Sequence, residues 1–150
     1  MSSEEKLVVF ELNQQKFALS ILGIQEIICL VKITNVPFAP NYIKGIINYR
    51  GHIISLINVS IYLNLPEKQI DQASRIIVIE HEENLLGLLV DSVFEVSRYN
   101  PADVKPPECI GNKTEYTSGF IQQNEDILQL LDIKILLESM QLETERRVSL

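Results

Sequence analysis

The sequence predicts a mainly β protein in which two small β-barrel-like subdomains share one hydrophobic core. Three observations support this fold class. The 150-residue chain contains 21 Ile and 11 Val against 19 Leu and four Ala, and β-branched side chains favour strands over a helical bundle. Hydrophobic residues make up 46% of the chain, which is sufficient for the core of a single domain. The two halves of the chain also repeat one pattern.

The repeat consists of two gapless blocks that occur in the same order in each half. The aligned blocks are residues 6–27 with 75–96 and residues 44–63 with 118–137. A lone half of about 70 residues would be a marginal domain with unpaired strand edges. We therefore expect two subdomain repeats, approximately 6–63 and 75–137, to fold as a single domain over residues 1–150, with 138–150 as a C-terminal tail.

Each copy predicts the same succession of elements. A strand, a tight turn and a second strand are followed by a short helical or irregular piece, a proline-containing loop, and a further strand. The tight turns are expected at 13–15 and 81–84, where polar residues separate two apolar runs. Prolines place loops at 36–40 and 105–107, because proline interrupts both strand ladders and helices.

A helix is expected at the end of each copy. Asn58 and Asp132 occupy equivalent positions, and both residue types are good N-caps. The second of these helices is expected to continue into the charged tail 138–150 and to fray there.

The charge balance argues against nucleic acid and membrane surfaces as partners. The chain carries 20 acidic and 13 basic residues, a net charge of −7, and such a chain lacks the positive surface that phosphate groups attract. Its apolar runs are shorter than the roughly 18–20 residues of a membrane span. The N-terminal residues do not resemble a signal peptide, so a cytoplasmic protein without membrane insertion is predicted.

Motifs of catalysis, metal binding and nucleotide binding are missing from the sequence. The glycines come no closer together than Gly45 and Gly51, which excludes the glycine-rich phosphate-binding loops, and residues 81–85 lack the second histidine of a zinc-protease motif. Cys29 and Cys109 form no CxxC pair, which predicts two reduced thiols in or near the core. We predict no enzyme, no catalytic residue, no metal site and no cofactor.

The two copies differ in the loop that contains Arg50 and Gly51, where the second copy has Asn124 and Glu125. Glu26 corresponds to Glu95, but Arg50 corresponds to Asn124, so the first copy alone has an opposite-charge pair at these positions. An arginine in a glycine-flanked loop is a frequent interface anchor. It can equally form a surface salt bridge of little energetic consequence, about 0–1 kcal/mol.

Three segments resemble the CheW family of bacterial chemotaxis coupling proteins. They are Ile24-Gln25-Glu26-Ile27, the Pro37 to Gly51 block with its Ile43-Lys44-Gly45-Ile46 and Asn48-x-Arg50-Gly51 motifs, and Gly87-Leu88-Leu89-Val90-Asp91 with Val93, Glu95 and Val96. The resemblance covers residues 6–138, nearly the whole chain. It implies two intertwined five-stranded β-barrels around a common core, with short helices and a C-terminal helix, and an adaptor without catalysis.

The resemblance also implies the partners and the residues that bind them. Such an adaptor connects the cytoplasmic tip of chemoreceptors to the regulatory domain of the histidine kinase CheA, and it reaches membrane-associated receptor arrays through these partners. It is expected to be monomeric when isolated. The residues expected to contact partners are Ile24, Glu26, Lys44, Gly45, Asn48, Arg50, Gly51, Val90 and Val93.

Other functions stay open at this point. A coupling protein of a non-flagellar chemosensory pathway would share the same fold. A small-molecule-binding β-barrel would require polar groups that converge in a pocket. A barrel that binds oligonucleotides is disfavoured by the negative charge.

Overall fold

The computed structural model of the chain describes residues 5–106 and 116–148, with side chains of the last helix described as far as Met140. Within these residues the chain forms ten strands and two α-helices. They are β1 (Glu5–Leu12), β2 (Gln15–Ser20), β3 (Ile24–Cys29), β4 (Ile43–Tyr49), β5 (His52–Asn58), α1 (Val59–Tyr62), β6 (Arg75–His81), β7 (Asn84–Val90), β8 (Ser92–Tyr99), β9 (Thr117–Gln123), β10 (Asp126–Leu131) and α2 (Ile133–Val148), with a 3-10 turn at Pro101–Asp103. The mainly β class is confirmed. Neither described α-helix is long and apolar enough to cross a bilayer.

The strands form two five-stranded sheets whose orders are β8-β1-β2-β10-β9 and β3-β6-β7-β5-β4. The first five strands belong to the first copy and the last five to the second. Exchanging each strand for its equivalent in the other copy converts one sheet order into the other. The first hairpin of each copy therefore lies within the sheet that the other copy supplies, and the predicted intertwining is confirmed.

The local pattern predicted the piece after the second strand of each copy wrongly. The piece after the second strand of each copy, expected to be helical or irregular, is an edge strand, β3 in the first copy and β8 in the second. The strand β3 pairs with β6 of the other copy, where Ile28 lies opposite Ile76. Local sequence cannot show a partner that is about 50 residues away, so this pairing overrides the local pattern.

The remaining strand region of each copy is a hairpin rather than a single strand. In the first copy β4 pairs with β5, and Asn48 lies opposite Ile53. In the second copy β9 pairs with β10, and Gln122 lies opposite Ile127. Together with β3 and β8, these hairpins complete the two five-stranded sheets that the family resemblance implied.

The predicted turns and helix caps are confirmed. Asn13 and Gln14 have φ values of 51° and 64°, and Glu82 and Glu83 have values of 49° and 68°. Two successive positive φ angles are the signature of the two-residue type I′ hairpin turn. The backbone N–H groups of Ile61 and Ile135 donate to the caps Asn58 and Asp132 at 3.5 and 3.2 Å.

The chain divides into two compact units, and each has its own apolar cluster. The second unit comprises Phe10–Gln15 and Ile21–Glu95, and the first contains the described residues outside these ranges. The second unit's cluster consists of Ile47, Tyr49, Ile54, Leu56, Ile76, Val78 and Leu89. The first unit's cluster consists of Leu7, Val9, Ala18, Ile121, Leu128 and Leu130. The two-residue spacing along each strand shows that one face of each sheet carries its cluster.

Cys29 is a free thiol, as predicted, but its side chain is exposed and does not lie in the core. It ends the edge strand β3, and its neighbour Ile28 packs against the core cluster. Because successive side chains of a strand point to opposite faces, Cys29 points away from that cluster. Cys109 lies outside the described residues.

Candidate partner-binding site

Glu26, Tyr49 and Arg50 form a hydrogen-bonded cluster in the second unit. Arg50 donates from Nη2 and Nε to Glu26 Oε1 at 2.8 and 3.0 Å, and the Tyr49 hydroxyl donates to the same oxygen at 2.6 Å. Glu26 belongs to β3 and Tyr49 to β4, which are the two edge strands of their sheet. The sheet therefore curls far enough to bring its edges within side-chain reach at this point.

A β-bulge determines how Glu26 is presented. Ile24 lies opposite Ile79 and Glu26 lies opposite Val78, so Gln25 is an extra residue in β3. Bulges change the direction of the side chains around them. Beyond the bulge Glu26 shares its face with Ile28, which packs against the core cluster, and the carboxylate is thereby directed to Tyr49.

Arg50 occupies a strained backbone position. Arg50 and Gly51 connect β4 to β5 with φ values of 50° and 84°. Asn48 fixes this turn, because its Oδ1 accepts from the backbone N–H of Gly51 at 2.9 Å. The equivalent residue in the second copy is Asn124, at φ 57°, and asparagine tolerates this region far better than arginine. Arg50 therefore adopts this backbone conformation at a cost that the asparagine of the second copy avoids.

The three groups of the cluster stabilise one another's charge states. The Tyr49 hydroxyl and, next, the Arg50 guanidinium lower the pKa of Glu26, because both donate to its carboxylate. The hydrogen bond to Glu26 raises the pKa values of Tyr49 and Arg50. The Arg50 Cζ also lies 5.6 Å from the Tyr49 ring centroid, within the range of a cation–π contact.

The cluster combines a buried tyrosine with two charged side chains that reach the surface. Tyr49 is only 5% exposed, whereas the Glu26 side chain is 35% and the Arg50 side chain 69% exposed. Among the described residues, Arg50 Nη1 and Glu26 Oε2 make no hydrogen bond. The site thus presents a donor atom, Arg50 Nη1, and an acceptor atom, Glu26 Oε2, next to each other, and the buried Tyr49 holds both side chains in place.

Lys44 has a different environment. Its Nζ lies 3.2 Å from Glu67 Oε1, which also accepts from Asn58 Nδ2 at 2.9 Å. Lys44 is the extra residue of a second bulge, since Ile43 and Gly45 lie opposite successive residues of β5. This lysine already has an ion-pair partner within the chain, and its contact with another protein stays a prediction.

Gly45 is explained by close approach of two backbone segments. Thr34 and Ile46 exchange two backbone hydrogen bonds of 2.9 Å, so the loop before β4 crosses the strand at this residue. A Cβ on Gly45 would come within 2.8 Å of Ile33 Cγ2 and still closer to the Thr34 carbonyl oxygen. The absence of a side chain here is required by the fold, and a role in partner binding stays a prediction.

The second copy repeats this arrangement at Gly119. Lys105 and Phe120 exchange two backbone hydrogen bonds of 2.8 Å, and a Cβ on Gly119 would lie 2.7 Å from the Lys105 carbonyl oxygen. The glycine identity between the copies therefore has a common structural cause.

The remaining predicted site residues are apolar and differ in exposure. Val90 ends β7, opposite Arg75. It is only 1% exposed, so its side chain contributes to packing. Ile24 and Val93 are half-buried, which leaves part of each side chain at the surface. Their contact with a partner, and that of Val90, stays a prediction.

The structure thus brings Glu26, Arg50, Asn48 and Gly51 together around one turn, while sequence analysis missed Tyr49. The available signal was the repeat itself, because Tyr49 corresponds to Gln123 just as Arg50 corresponds to Asn124. Within residues 5–106 and 116–140, whose side chains the structure describes, no group of three or more His, Cys, Asp and Glu residues is arranged to hold a metal ion.

Comparison with known proteins gives a consistent result. Residues 6–141 match the family model of the CheW-like domain. The chain is 31% identical over 144 residues to the chemotaxis protein CheW of Treponema pallidum, covering 92% of this chain and 85% of the relative. It is 28% identical over 134 residues to the chemotaxis protein CheW of Helicobacter pylori, covering 89% and 81%. The crystal structure of the scaffolding protein TtCheW from Thermoanaerobacter tengcongensis superposes with a TM-score of 0.79 at 30% identity, covering 85% of this chain and 88% of that one.

Proposed function

The chain belongs to the CheW-like family, and we propose that it acts without catalysis and binds a partner through the Glu26–Tyr49–Arg50 cluster. Its function is that of a chemotaxis adaptor that couples chemoreceptors to the histidine kinase CheA. The observation that supports this choice of surface is the exposed arginine, which the chain holds at a strained turn and orients by two hydrogen bonds to one carboxylate oxygen.

The geometry of the cluster suits recognition of a charged side chain on another protein. A flexible arginine loses conformational freedom when it binds, whereas Arg50 is already held by Glu26 and the Tyr49 ring. Its planar guanidinium can still offer Nη1 to a carboxylate, and Glu26 can offer Oε2 to a cation. Paired charges of this kind determine which partner binds and in which register more than they determine affinity.

We further propose the two partners and the location. The adaptor binds the cytoplasmic tip of a chemoreceptor and the regulatory domain of CheA, and it is located in the cytoplasm at the receptor arrays. In isolation it is monomeric.

A reconstitution experiment tests these proposals. Receptor-bearing membranes, CheA and the purified chain are mixed and sedimented, and CheA autophosphorylation is measured with and without the chain. We expect co-sedimentation and receptor-dependent stimulation of the kinase. Failure to bind either component, with partners from the same organism, would contradict the adaptor function.

The choice of surface is tested in the same assay with two charge reversals. Arg50→Glu is expected to abolish stimulation while the folded structure is retained. Arg98→Glu is a matched control, because Arg98 is an exposed arginine on β8, the strand equivalent to β3. Wild-type stimulation by Arg50→Glu would show that the cluster is not the binding surface.

A further inference from the structure

The Tyr49 hydroxyl lies between the carboxylate of Glu26 and the guanidinium of Arg50. It donates to Glu26 Oε1 at 2.6 Å and accepts from Arg50 Nε at 3.2 Å. The same Nε also donates to Glu26 Oε1 at 3.0 Å, and Arg50 Nη2 donates to that oxygen at 2.8 Å. The donors of the cluster thus converge on one oxygen of the carboxylate.

This arrangement differs from the usual pair of an arginine and a carboxylate. In the usual pair, two N–H groups of the guanidinium donate in parallel to the two carboxylate oxygens. Here Nε and Nη2 of Arg50 also face two oxygens, but one is Glu26 Oε1 and the other is the hydroxyl oxygen of Tyr49. The tyrosine therefore takes the place of Glu26 Oε2, and Oε2 makes no hydrogen bond to a described residue.

The position of this hydroxyl is fixed by the core of the second unit. Tyr49 is buried and belongs to that unit's apolar cluster, whereas the side chains of Glu26 and Arg50 both reach the surface. A ring packed in a core has little freedom to move. The hydroxyl is therefore a fixed point to which the two charged side chains adjust.

Two further observations agree with control of the pair by the hydroxyl. The hydrogen bond from Tyr49 is the largest cause of the lowered pKa of Glu26, ahead of the bond from Arg50. In the second copy, Gln123 and Asn124 replace the tyrosine and the arginine. The copy that has the arginine thus also has the hydroxyl that separates it from one carboxylate oxygen.

We propose that Tyr49 is a positioning residue for partner binding, whose hydroxyl keeps Glu26 Oε2 free to accept a hydrogen bond from the partner. This inference rests on the binding surface proposed above. Without the hydroxyl, Oε2 can turn to Arg50 Nε and complete the usual two-oxygen pair. Because that pair is a strong one, a partner would have to break one of its bonds before it could bind Oε2.

The reconstituted system of receptor-bearing membranes, CheA and the full chain tests this role. The quantity measured is the concentration of the chain that gives half-maximal kinase stimulation. Tyr49→Phe keeps the buried ring and removes the hydroxyl. We expect the concentration to rise about tenfold, the loss of one charge-assisted hydrogen bond, with little change in Tm. Tyr99→Phe is the matched control, because the Tyr99 hydroxyl donates to Glu5 Oε2 at 2.8 Å outside the cluster, and we expect no change.

Glu26→Gln separates the positioning role from a general effect on the fold. The donors of Arg50 bind the amide oxygen, which places the amide nitrogen, a donor, at the position of Oε2. We expect about the same tenfold rise, and no further rise when Tyr49→Phe is added, because both changes remove the same acceptor. A wild-type concentration in either single variant, or additive effects in the double variant, would overturn the positioning role.

The adaptor function is tested separately in the same system. If the wild type does not bind, or if Arg50→Glu stimulates the kinase normally, the proposed binding surface is wrong and the positioning role is overturned with it. If the wild type stimulates and Arg50→Glu does not, normal stimulation by Tyr49→Phe contradicts only the role of the hydroxyl.

Discussion

Glu26 lies on one edge strand of a five-stranded sheet and Arg50 directly follows the other edge strand, and Arg50 Nη2 nevertheless lies 2.8 Å from Glu26 Oε1. The equivalent positions in the other sheet hold Glu95 and Asn124, which cannot form an ion pair. The two sheets therefore share a strand order and differ in what joins their edges. An ion pair with a purely structural role would be expected in both copies. A pair that binds a partner is needed in one copy only.

Arg50→Asn separates the side chain of Arg50 from its backbone position, because it introduces the residue that the second copy has at the same φ. The exchange relieves the strain of a left-handed arginine and removes the two hydrogen bonds to Glu26. These effects oppose each other, so we expect the Tm to stay within about 3 °C of the wild type while receptor-dependent kinase stimulation is lost. Calorimetry and the kinase assay measure the two quantities. Loss of folding together with stimulation would show that Arg50 is needed for structure instead.

Glu26→Gln is expected to alter the dependence of stability on acidity. Contacts with Tyr49 and Arg50 hold the folded-state pKa of Glu26 below its ordinary value of 4.5. A lowered folded-state pKa contributes stability that is complete above the unfolded value and is lost as the pH falls through the folded one. The Tm difference between wild type and Glu26→Gln should therefore be present at neutral pH and disappear in acid below 4.5.

Glu95→Gln is the matched control for this measurement. It removes a carboxylate at the equivalent position, where Asn124 takes the place of the arginine. If both variants change the dependence of Tm on pH in acid by the same amount, the effect is due to overall charge, and a special role of the cluster is contradicted.

Tyr49 has two separable roles, and two substitutions distinguish them. Tyr49→Phe keeps the ring in the core cluster and removes the 2.6 Å hydrogen bond to Glu26, so the pKa of Glu26 should rise with little change in Tm. Tyr49→Gln introduces the second-copy residue and leaves a cavity, which should lower the Tm by roughly 10 °C. Titration of Glu26 by nuclear magnetic resonance and thermal unfolding check these outcomes. An unchanged Glu26 pKa in Tyr49→Phe would show that Arg50 alone stabilises the carboxylate.

The sequence predicted features that depend on neighbouring residues or on the repeat. The hairpin turn at Asn13 and Gln14 and the helix cap at Asn58 are encoded within a few residues, and both were located correctly. The possible ion pair between Glu26 and Arg50 could be predicted because the aligned copies differ at the position of Arg50. In the structure this difference appears as the hydrogen-bonded cluster of the first copy.

Features that depend on distant pairing could not be predicted from the residues. The strand β3 is stabilised by β6 of the other copy, and only this pairing makes it an edge strand that exposes Cys29. Tyr49 was missed because an aromatic residue among isoleucines is typical of any core strand. Its hydroxyl becomes functional only when the curled sheet brings β3 and β4 together.

Gly45→Ala tests whether the glycine acts through the fold or through a partner. A methyl group there would collide with the Thr34 backbone and Ile33, and we expect a destabilisation of about 2–3 kcal/mol, as for an overpacked core. Gly119→Ala should cost a similar amount, since its Cβ would collide with Val104 and Lys105. Gly51→Ala is the control, because no atom lies within 4 Å of its Cβ position. Only its φ of 84° disfavours a side chain, and we expect this to cost about 1 kcal/mol.

Denaturant unfolding measures the stability of all three variants, and kinase coupling is measured at a temperature where each variant is folded. If Gly45→Ala then couples normally, the glycine serves the crossing of two backbone segments. If it unfolds like the wild type but does not couple, Gly45 contacts a partner directly.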